Sequence, residues 1–404
     1  MKYVIVLGDG MADEPIPELG GLTPLEYAKT PALDAMAPVS EIGLACTIPE
    51  GMSPGSDTAN LSVLGYDPRQ YYTGRSPLEA LSIGVDMKPD DVALRTNLIT
   101  VSDGEEPYEE KVIIDHSSGE ISTEDAAVLL DAVRKELEDD TYHFYVGTSY
   151  RHLLIWEKGS VVPLTPPHDV LGQKTGAYLP ADEKLLEMQK RSYEILSCHP
   201  INLERKRQGL NQANSCWFWG AGTRPALVSF EEKNGKKGAM ISAVDLLKGI
   251  AAGAGMTNIQ VEGANGQLHT NYEGKARAAA DALLKDGFDF VYVHVEAPDE
   301  MGHQGSWERK VQSIEYLDQR LIKHLKEALD ASGEPYRMMV LPDHPTPIRV
   351  RTHTSDPVPF LLYDSTKTQN GQDVYSEKAA RESGLTVSRG CELIDRLFEK
   401  TEIR

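Results

Sequence analysis

At 404 residues the chain exceeds the size at which a single hydrophobic core usually stops growing, so a large domain with an insertion, or two domains, is expected. Hydrophobic residues make up 40% and charged residues 25%, the proportions of an ordinary soluble globular protein and not of a disordered one. The formal net charge of −21 disfavours a nucleic-acid binder that tracks a phosphate backbone, which needs clustered Lys and Arg, but leaves small anionic substrates open where local cations offset the field.

The first element is KYVIVLG at 2–8, a buried strand with Asp9 directly after it. This apolar run is too short for the core of a signal peptide, and no run approaches the ~18 apolar residues of a membrane span, so no membrane association is expected. Cys46, Cys198, Cys216 and Cys391 are scattered without a CxxC pair. Neither a disulfide framework nor a zinc knuckle is indicated, and a reducing cytoplasm is the expected location.

GMSPGSDTAN at 51–60 places Ser56 at the first turn of a predicted helix, SDTANLSVLG. Backbone N–H groups and the helix dipole there face an incoming phosphate, although the segment alone also reads as an ordinary capped helix start. From Val85 to about Tyr178 the texture changes: VALRTNLITVSDG, EKVIIDHSSGEIS, TYHFYVGTSYRHLLIWEKGS and VVPLTPPHDV read as an antiparallel sheet. A single helix, TEDAAVLLDAVRKELED, lies among them.

Beyond the insertion, ALVSF at 226–230 and GAMISA at 238–243 read as strands, and 243–256 as a helix. Ala and Leu recur at helical spacing across 272–287, which Gly287 closes. A continuous apolar strand at 288–296 follows, then a helix at 306–332 and the strand YRMMVLPDH. Strands alternating with helices predict an α/β fold with a mostly parallel sheet and an inserted α+β domain.

One pattern recurs along this path. Asp9 follows the first strand, Asp299 and His303 follow the strand ending at Glu296, and Asp343 with His344 follow the strand ending at Leu341, with His353 further along LPDHPTPIRVRTHTSDPVP. Ligands collect outside the carboxyl ends of strands in open α/β sheets, so these sets are expected to converge. Gathered carboxylates and imidazoles call for cations, and six such side chains exceed what one catalytic metal with an open position needs. Two divalent ions, Mn, Mg, Zn or Co, are therefore expected, in the arrangement that clamps an in-line phosphoryl displacement. His152, His168, His269 and His294 read either as buried satisfied groups or as substrate contacts. No P-loop, complete GxGxxG or HExxH motif is present.

The segments VIVLGDGMAD, GSDTANLSVLGYDP, YYTGRSPLEA, ISAVDLLKGIAAGAGM, NYEGKA, VHVEAPDEMGHQG, LPDHPTP and THTSDPVP resemble the archaeal-type cofactor-independent phosphoglycerate mutases of the alkaline phosphatase superfamily. The resemblance implies an alkaline-phosphatase-like core, 1–85 with 179–404, and a substrate-binding insertion at 86–178. Hinges near Val85 and Tyr178 would let closure exclude water. It further implies Asp9, Ser56, Asp343 and His344 around one metal, Asp299, His303 and His353 around the other, and Ser56 as the serine phosphorylated in each cycle. Lys248 looks like the family's phosphate-facing lysine, and the small phosphorylated substrate is phosphoglycerate.

A departure lies at 115–122, where DHSSGEIS stands in place of the family's arginine-rich segment. Arg75, Arg95 and Arg151 remain as anion clamps, with His116 and His152 as further substrate contacts. The altered segment opens an alternative, a homoserine-kinase-like phosphotransferase in which Asp115 or Glu120 meets an ammonium group. A metal-dependent phosphatase or phosphodiesterase is the third reading, and the oligomeric state is left open.

Overall fold

The computed structural model describes residues 1–400. The strands in chain order are β1 Lys2–Gly8, β2 Glu41–Ala45, β3 Val92–Val101, β4 Ile113–Asp115, β5 Tyr142–Thr148, β6 Arg151–Trp156 and β7 Ser215–Thr223. They continue as β8 Gly238–Ile241, β9 Thr257–Asn258, β10 Phe290–Val295, β11 Tyr336–Leu341, β12 Val358–Asp364 and β13 Thr386–Val387. Two compact units result: Met1–Tyr72 with the chain from Leu227 onward, and Thr73–Ala226.

The first unit is built on an eight-stranded sheet in the order β13-β2-β12-β11-β1-β10-β8-β9. β1 pairs in parallel with both β10 and β11, and β10 with β8; only β12 runs against its neighbours. The α/β class with a mostly parallel sheet is therefore as the alternation of elements predicts. Every residue of β10 and β11 is buried. Such unbroken apolar runs are what a central strand covered on both faces requires. Helix Tyr272–Leu284 supplies Ala276, Ala279, Ala280 and Leu283 to the core, the positions its helical spacing selects.

The helix expected at 306–332 is interrupted. It runs as Trp307–Tyr316, a π-helical turn Leu317–Ile322, and Lys323–Ser332. In that turn the Asp318 carboxylate accepts hydrogen bonds from Leu33 N at 2.8 Å and Ala32 N at 3.1 Å. These are orphan donors at the start of helix Pro31–Met36, so a distant carboxylate caps it. The strand expected at 226–230 is also corrected: Phe230 instead opens the short helix Phe230–Asn234, ended by Gly235 in the left-handed conformation.

The second unit holds an antiparallel sheet in the order β4-β3-β6-β5, with β7 also paired to β3. One face packs on helices Thr123–Leu137 and Glu183–Ser197 through Leu129, Leu130, Val133, Leu185 and Met188. The expected bounds 86–178 are too narrow. Helices Arg75–Ser82 and Glu183–Ser197 bury their apolar faces on this sheet, and SCWFWGAGT forms β7, a short aromatic run between Gly and Asn-rich flanks. VVPLTPPHDV forms no strand, its three prolines and histidine-containing turn leaving Pro167–Asp169 as a single 3-10 turn.

The two ends of this unit touch. Thr73 donates its hydroxyl to Thr223 O at 2.6 Å. A Cβ on Gly222 would lie 2.3 Å from Thr73 O, so only glycine fits there. Among the described residues no helix is long and apolar enough to cross a membrane.

Candidate metal and nucleophile site

Parallel register sets three strand ends side by side: Leu7 pairs with Leu341, and Gly8 with Val295. Asp9 N then donates to Val295 O at 2.9 Å. The carboxylate of Asp9 and the side chains that follow β10 and β11 are thereby brought to one edge of the sheet. Gly10 makes this approach possible. Its φ is 59°, and a Cβ there would lie 2.8 Å from Asp299 Cα and 2.5 Å from Thr346 Oγ1.

Asp343 is wholly buried, and its Oδ1 accepts from Gly10 N at 3.1 Å and His344 N at 2.9 Å. Its Oδ2 accepts from Asn60 Nδ2 at 2.9 Å. Asn60 in turn accepts from the Tyr292 hydroxyl at 2.5 Å. Helix Ser56–Val63 thus leans on Asp343 through Asn60, one turn beyond Ser56. Ser56 Oγ lies 3.1 Å from His344 Nε2, which stands 3.5 Å from Asp9 Oδ1 and 3.4 Å from Asp343 Oδ2.

On the other side, Asp299 Oδ2 lies 3.1 Å from His303 Nε2 and Asp299 Oδ1 lies 3.5 Å from His353 Nε2. The two imidazoles meet at 3.2 Å. Their spacing on helix Ala297–Gln304 puts Asp299 and His303 on one face, at i and i+4. The structure therefore brings together Asp9, Ser56, Asp343 and His344, and beside them Asp299, His303 and His353.

Sequence reasoning missed members of this cluster. His294 Nε2 lies 2.9 Å from Asp9 Oδ2, and its Nδ1 lies 3.2 Å from Ser242 Oγ. The buried Lys275 ammonium donates to His294 O at 2.7 Å. One ligand atom each from Asp9, His294 and Asp343 fall within 4.8 Å of one another, as do those of Asp299, His344 and His353. The signal was a polar residue at an interior position of a wholly apolar strand. On β10, Tyr292 and His294 alternate onto the same face, toward Asn60 and Asp9.

Electrostatics mark the cluster as built around cations. Burial, then the charges of Asp343 and Asp299, push Asp9 well above the usual carboxylate range. Its Oδ1 is buried and makes no hydrogen bond. An orphan carboxylate oxygen among other carboxylates and imidazoles is a donor set that divalent cations fit. Burial also lowers His344, and takes His294 down to about 3, leaving both rings neutral. Burial opposes ionisation of Asp299, but hydrogen bonds with His303 and His353 hold it well below the usual value. The bond to Asp299 raises His303 to about 9.

The candidate substrate residues divide differently. Arg95, Asn97 and Arg151 share one face of the second unit's sheet, since Asn97 pairs with Arg151 and side chains alternate along β3. Arg95 is buried, lies 4.6 Å from the Trp219 ring and faces Glu79 at 3.4 Å, which also pairs with Arg75 at 3.1 Å. His116 borders them, its ring 5.8 Å from Tyr150 and its buried Nδ1 without a hydrogen bond. His152 is a correction. It pairs with Thr96 on the opposite face, among the helices, where it is 2% exposed and accepts from Gly147 N at 3.1 Å. Burial there lowers it to about 4. Lys248 sits in helix Asp245–Gly253 of the first unit, its ammonium 3.2 Å from Asp245.

A family model described as 2,3-bisphosphoglycerate-independent phosphoglycerate mutase matches residues 37–202. The chain is 48% identical over 400 residues to the 2,3-bisphosphoglycerate-independent phosphoglycerate mutase of Methanosarcina barkeri, covering 98% of each chain. It is 47% identical to the probable enzyme of that kind from Geobacter sulfurreducens, covering 99% of this chain and all, 100%, of the other. Among solved structures, a protein from Pyrococcus horikoshii is similar with a TM-score of 0.83 at 30% identity, covering 100% of this chain and 98% of that one. The cofactor-independent phosphoglycerate mutase of Thermoplasma acidophilum is similar with a TM-score of 0.69 at 28% identity, covering 99% of each.

Proposed function

The chain belongs to the family of 2,3-bisphosphoglycerate-independent phosphoglycerate mutases and interconverts 3-phosphoglycerate and 2-phosphoglycerate, and we propose that it passes the phosphoryl group through Ser56. The observation that carries this reading is the meeting of Ser56 Oγ with His344 Nε2 at 3.1 Å, beside the orphan oxygen of Asp9. Asp9, Ser56, Asp343 and His344 would hold one divalent ion, and Asp299, His303 and His353 a second. Bound there, the ions neutralise phosphoryl oxygens and lower the pKa of the serine hydroxyl.

In the forward direction Ser56 Oγ attacks phosphorus in line, a bond to it forms, and the bond from phosphorus to the C3 oxygen of the substrate breaks. The serine proton is lost and the departing C3 oxygen gains one, leaving glycerate and phosphoserine. The C2 hydroxyl then attacks the same phosphorus and loses its proton, the bond from phosphorus to Ser56 Oγ breaks, and that oxygen regains a proton, giving 2-phosphoglycerate. Donors Gly10 N, His344 N and Asn60 fix Asp343, and the start of helix Ser56–Val63 fixes the serine, so little reorganisation is left for the transfer itself. His294 holds Asp9 Oδ2 and turns Oδ1 toward the cluster.

For the substrate carboxylate the guanidinium groups are the fitting partners: Arg95 foremost, with Arg151 and Arg75 near it. The altered segment does not favour an amino-acid substrate. Asp115 Oδ1 accepts from Ser117 N and Oγ, and Oδ2 from Gly119 N and Asn211 Nδ2, so its carboxylate is spent on the turn that follows it and on Asn211. The test is metal-loaded protein given 3-phosphoglycerate with no bisphosphoglycerate. Formation of 2-phosphoglycerate is expected, and a trapped acid-stable phosphoserine at Ser56; ATP-dependent phosphorylation of homoserine in its place would overturn the assignment.

A further inference from the structure

Lys310 is wholly buried, and each proton of its ammonium has an acceptor. It donates to Asp13 Oδ2 at 2.8 Å, Thr346 O at 2.9 Å and Ala12 O at 3.2 Å. Those acceptors belong to the loop after β1, which carries Asp9, and the loop after β11, which carries Asp343 and His344. Lys310 itself rides on helix Trp307–Tyr316, directly after the helix that carries Asp299 and His303. Three ligand-bearing segments therefore meet at one ammonium.

The junction is reinforced around it. Asp13 Oδ2 also accepts from Ile348 N at 3.2 Å, and Asp13 N donates to Glu377 Oε1 at 3.1 Å. Thr346 N donates to Ala12 O at 3.2 Å. The Thr346 hydroxyl then spans both ligand groups: it donates to Asp299 Oδ1 and lies 3.3 Å from His344 Nδ1. Fixing Nδ1 in this way directs Nε2 of His344 toward Ser56 and Asp9.

A buried ion pair is a poor source of net stability compared with apolar packing, and its attested use is to select one arrangement over others. We propose that Lys310 and Thr346 are positioning residues: Lys310, paired with Asp13, locks the two ligand-bearing loops together, and the Thr346 hydroxyl links the two ligand groups. This rests on the metal-binding reading above. Neither side chain touches substrate, and both act through the geometry of Asp9, Asp299 and His344.

The test is Mn²⁺ binding to the full chain, followed by calorimetry and by the EPR signal of the bound ion, at a temperature where circular dichroism shows each variant folded. Lys310→Met keeps the stem and removes the charge. Thr346→Val removes the hydroxyl at constant volume, and Thr346→Ser restores it. Both Lys310→Met and Thr346→Val are expected to weaken Mn²⁺ binding about tenfold or more and to alter the EPR line shape, with Thr346→Ser close to the unaltered chain. A folded Lys310→Met or Thr346→Val variant with unaltered Mn²⁺ affinity and line shape would overturn the proposal. Should Lys310→Met not fold, the Thr346 pair decides. An unaltered chain that binds no Mn²⁺ removes the metal reading, and this one with it.

Discussion

Ser56 Oγ and His344 Nε2 face each other at 3.1 Å although 288 residues separate them along the chain. The contact exists because the start of one helix and the end of β11 are both tied to Asp343, by Asn60 and by the His344 backbone. Ser56→Ala is therefore expected to leave the fold intact, since the serine is only half-buried and Asn60 still holds the helix. Turnover should fall by about three orders of magnitude or more, as for loss of a covalent nucleophile, with no labelled phosphoserine. Mass spectrometry of the quenched enzyme and a coupled assay check this together.

Removal of divalent ions should lower both activity and stability. At a free concentration about 100 times Kd, an ion that binds only the folded chain contributes about 2.7 kcal/mol. Asp9→Asn separates the two effects. It relieves the burial of a carboxylate beside Asp343 and Asp299, so the chelated protein should melt at a higher temperature than the chelated parent. The rise in melting temperature on adding Mn²⁺ should shrink or vanish, and scanning calorimetry with and without chelator reads both changes.

Gly10→Ala places a methyl group against Asp299 and Thr346 at a left-handed φ. The backbone conformation costs about 1–2 kcal/mol and the contacts about 1–3 kcal/mol more. Denaturant unfolding should show the loss, and Mn²⁺ affinity should fall with it, because relief requires the Asp9 and Asp299 segments to separate.

Asp318 gives a pH signature remote from the catalytic cluster. Burial raises it from 3.8 to about 6, despite the hydrogen bonds it accepts from Leu33 and Ala32. Between those values the folded chain keeps a proton that the unfolded chain has lost, so stability falls as pH rises through the window and levels off above it. The span corresponds to about 3 kcal/mol. Asp318→Asn should flatten that slope while costing some stability at the acid end, as urea midpoints between about pH 4 and about pH 7 will show.

Arg95→Met should raise KM for phosphoglycerate by about tenfold to a hundredfold, on the scale of a lost charge-assisted contact, with a smaller change in kcat. Arg95→Lys should not restore it, because an ammonium reproduces neither the fork nor the stacking on Trp219. His152→Gln, on the helix-facing side, should change stability with little effect on KM.

What could be read from the sequence was whatever repeats or stands out locally. β1, β10 and β11 are long apolar runs, and an acid or imidazole directly after each is visible without coordinates. Those runs also fix the parallel sheet. His294 was less legible because an imidazole inside a strand reads equally as a core group, and only the register that sets it beside Asp9 distinguishes the two. Asn60 and Lys310 act across nearly three hundred residues, and nothing in their own neighbourhoods shows their partners, Asp343 and Asp13. β7 was missed for a related reason: its pairing with β3 is long-range, while its local flanks resemble a loop. Asp318 breaks a helix that periodicity alone would run straight through, because the donors it serves lie at residues 32 and 33.

The seam at Thr73 and Gly222 gives the molecule a modular character. A passenger whose entry and exit points coincide can be cut out and replaced by a short tether without stretching its host. By the same logic, other folded cassettes could be grafted at that junction, with the sheet of the first unit left as it stands.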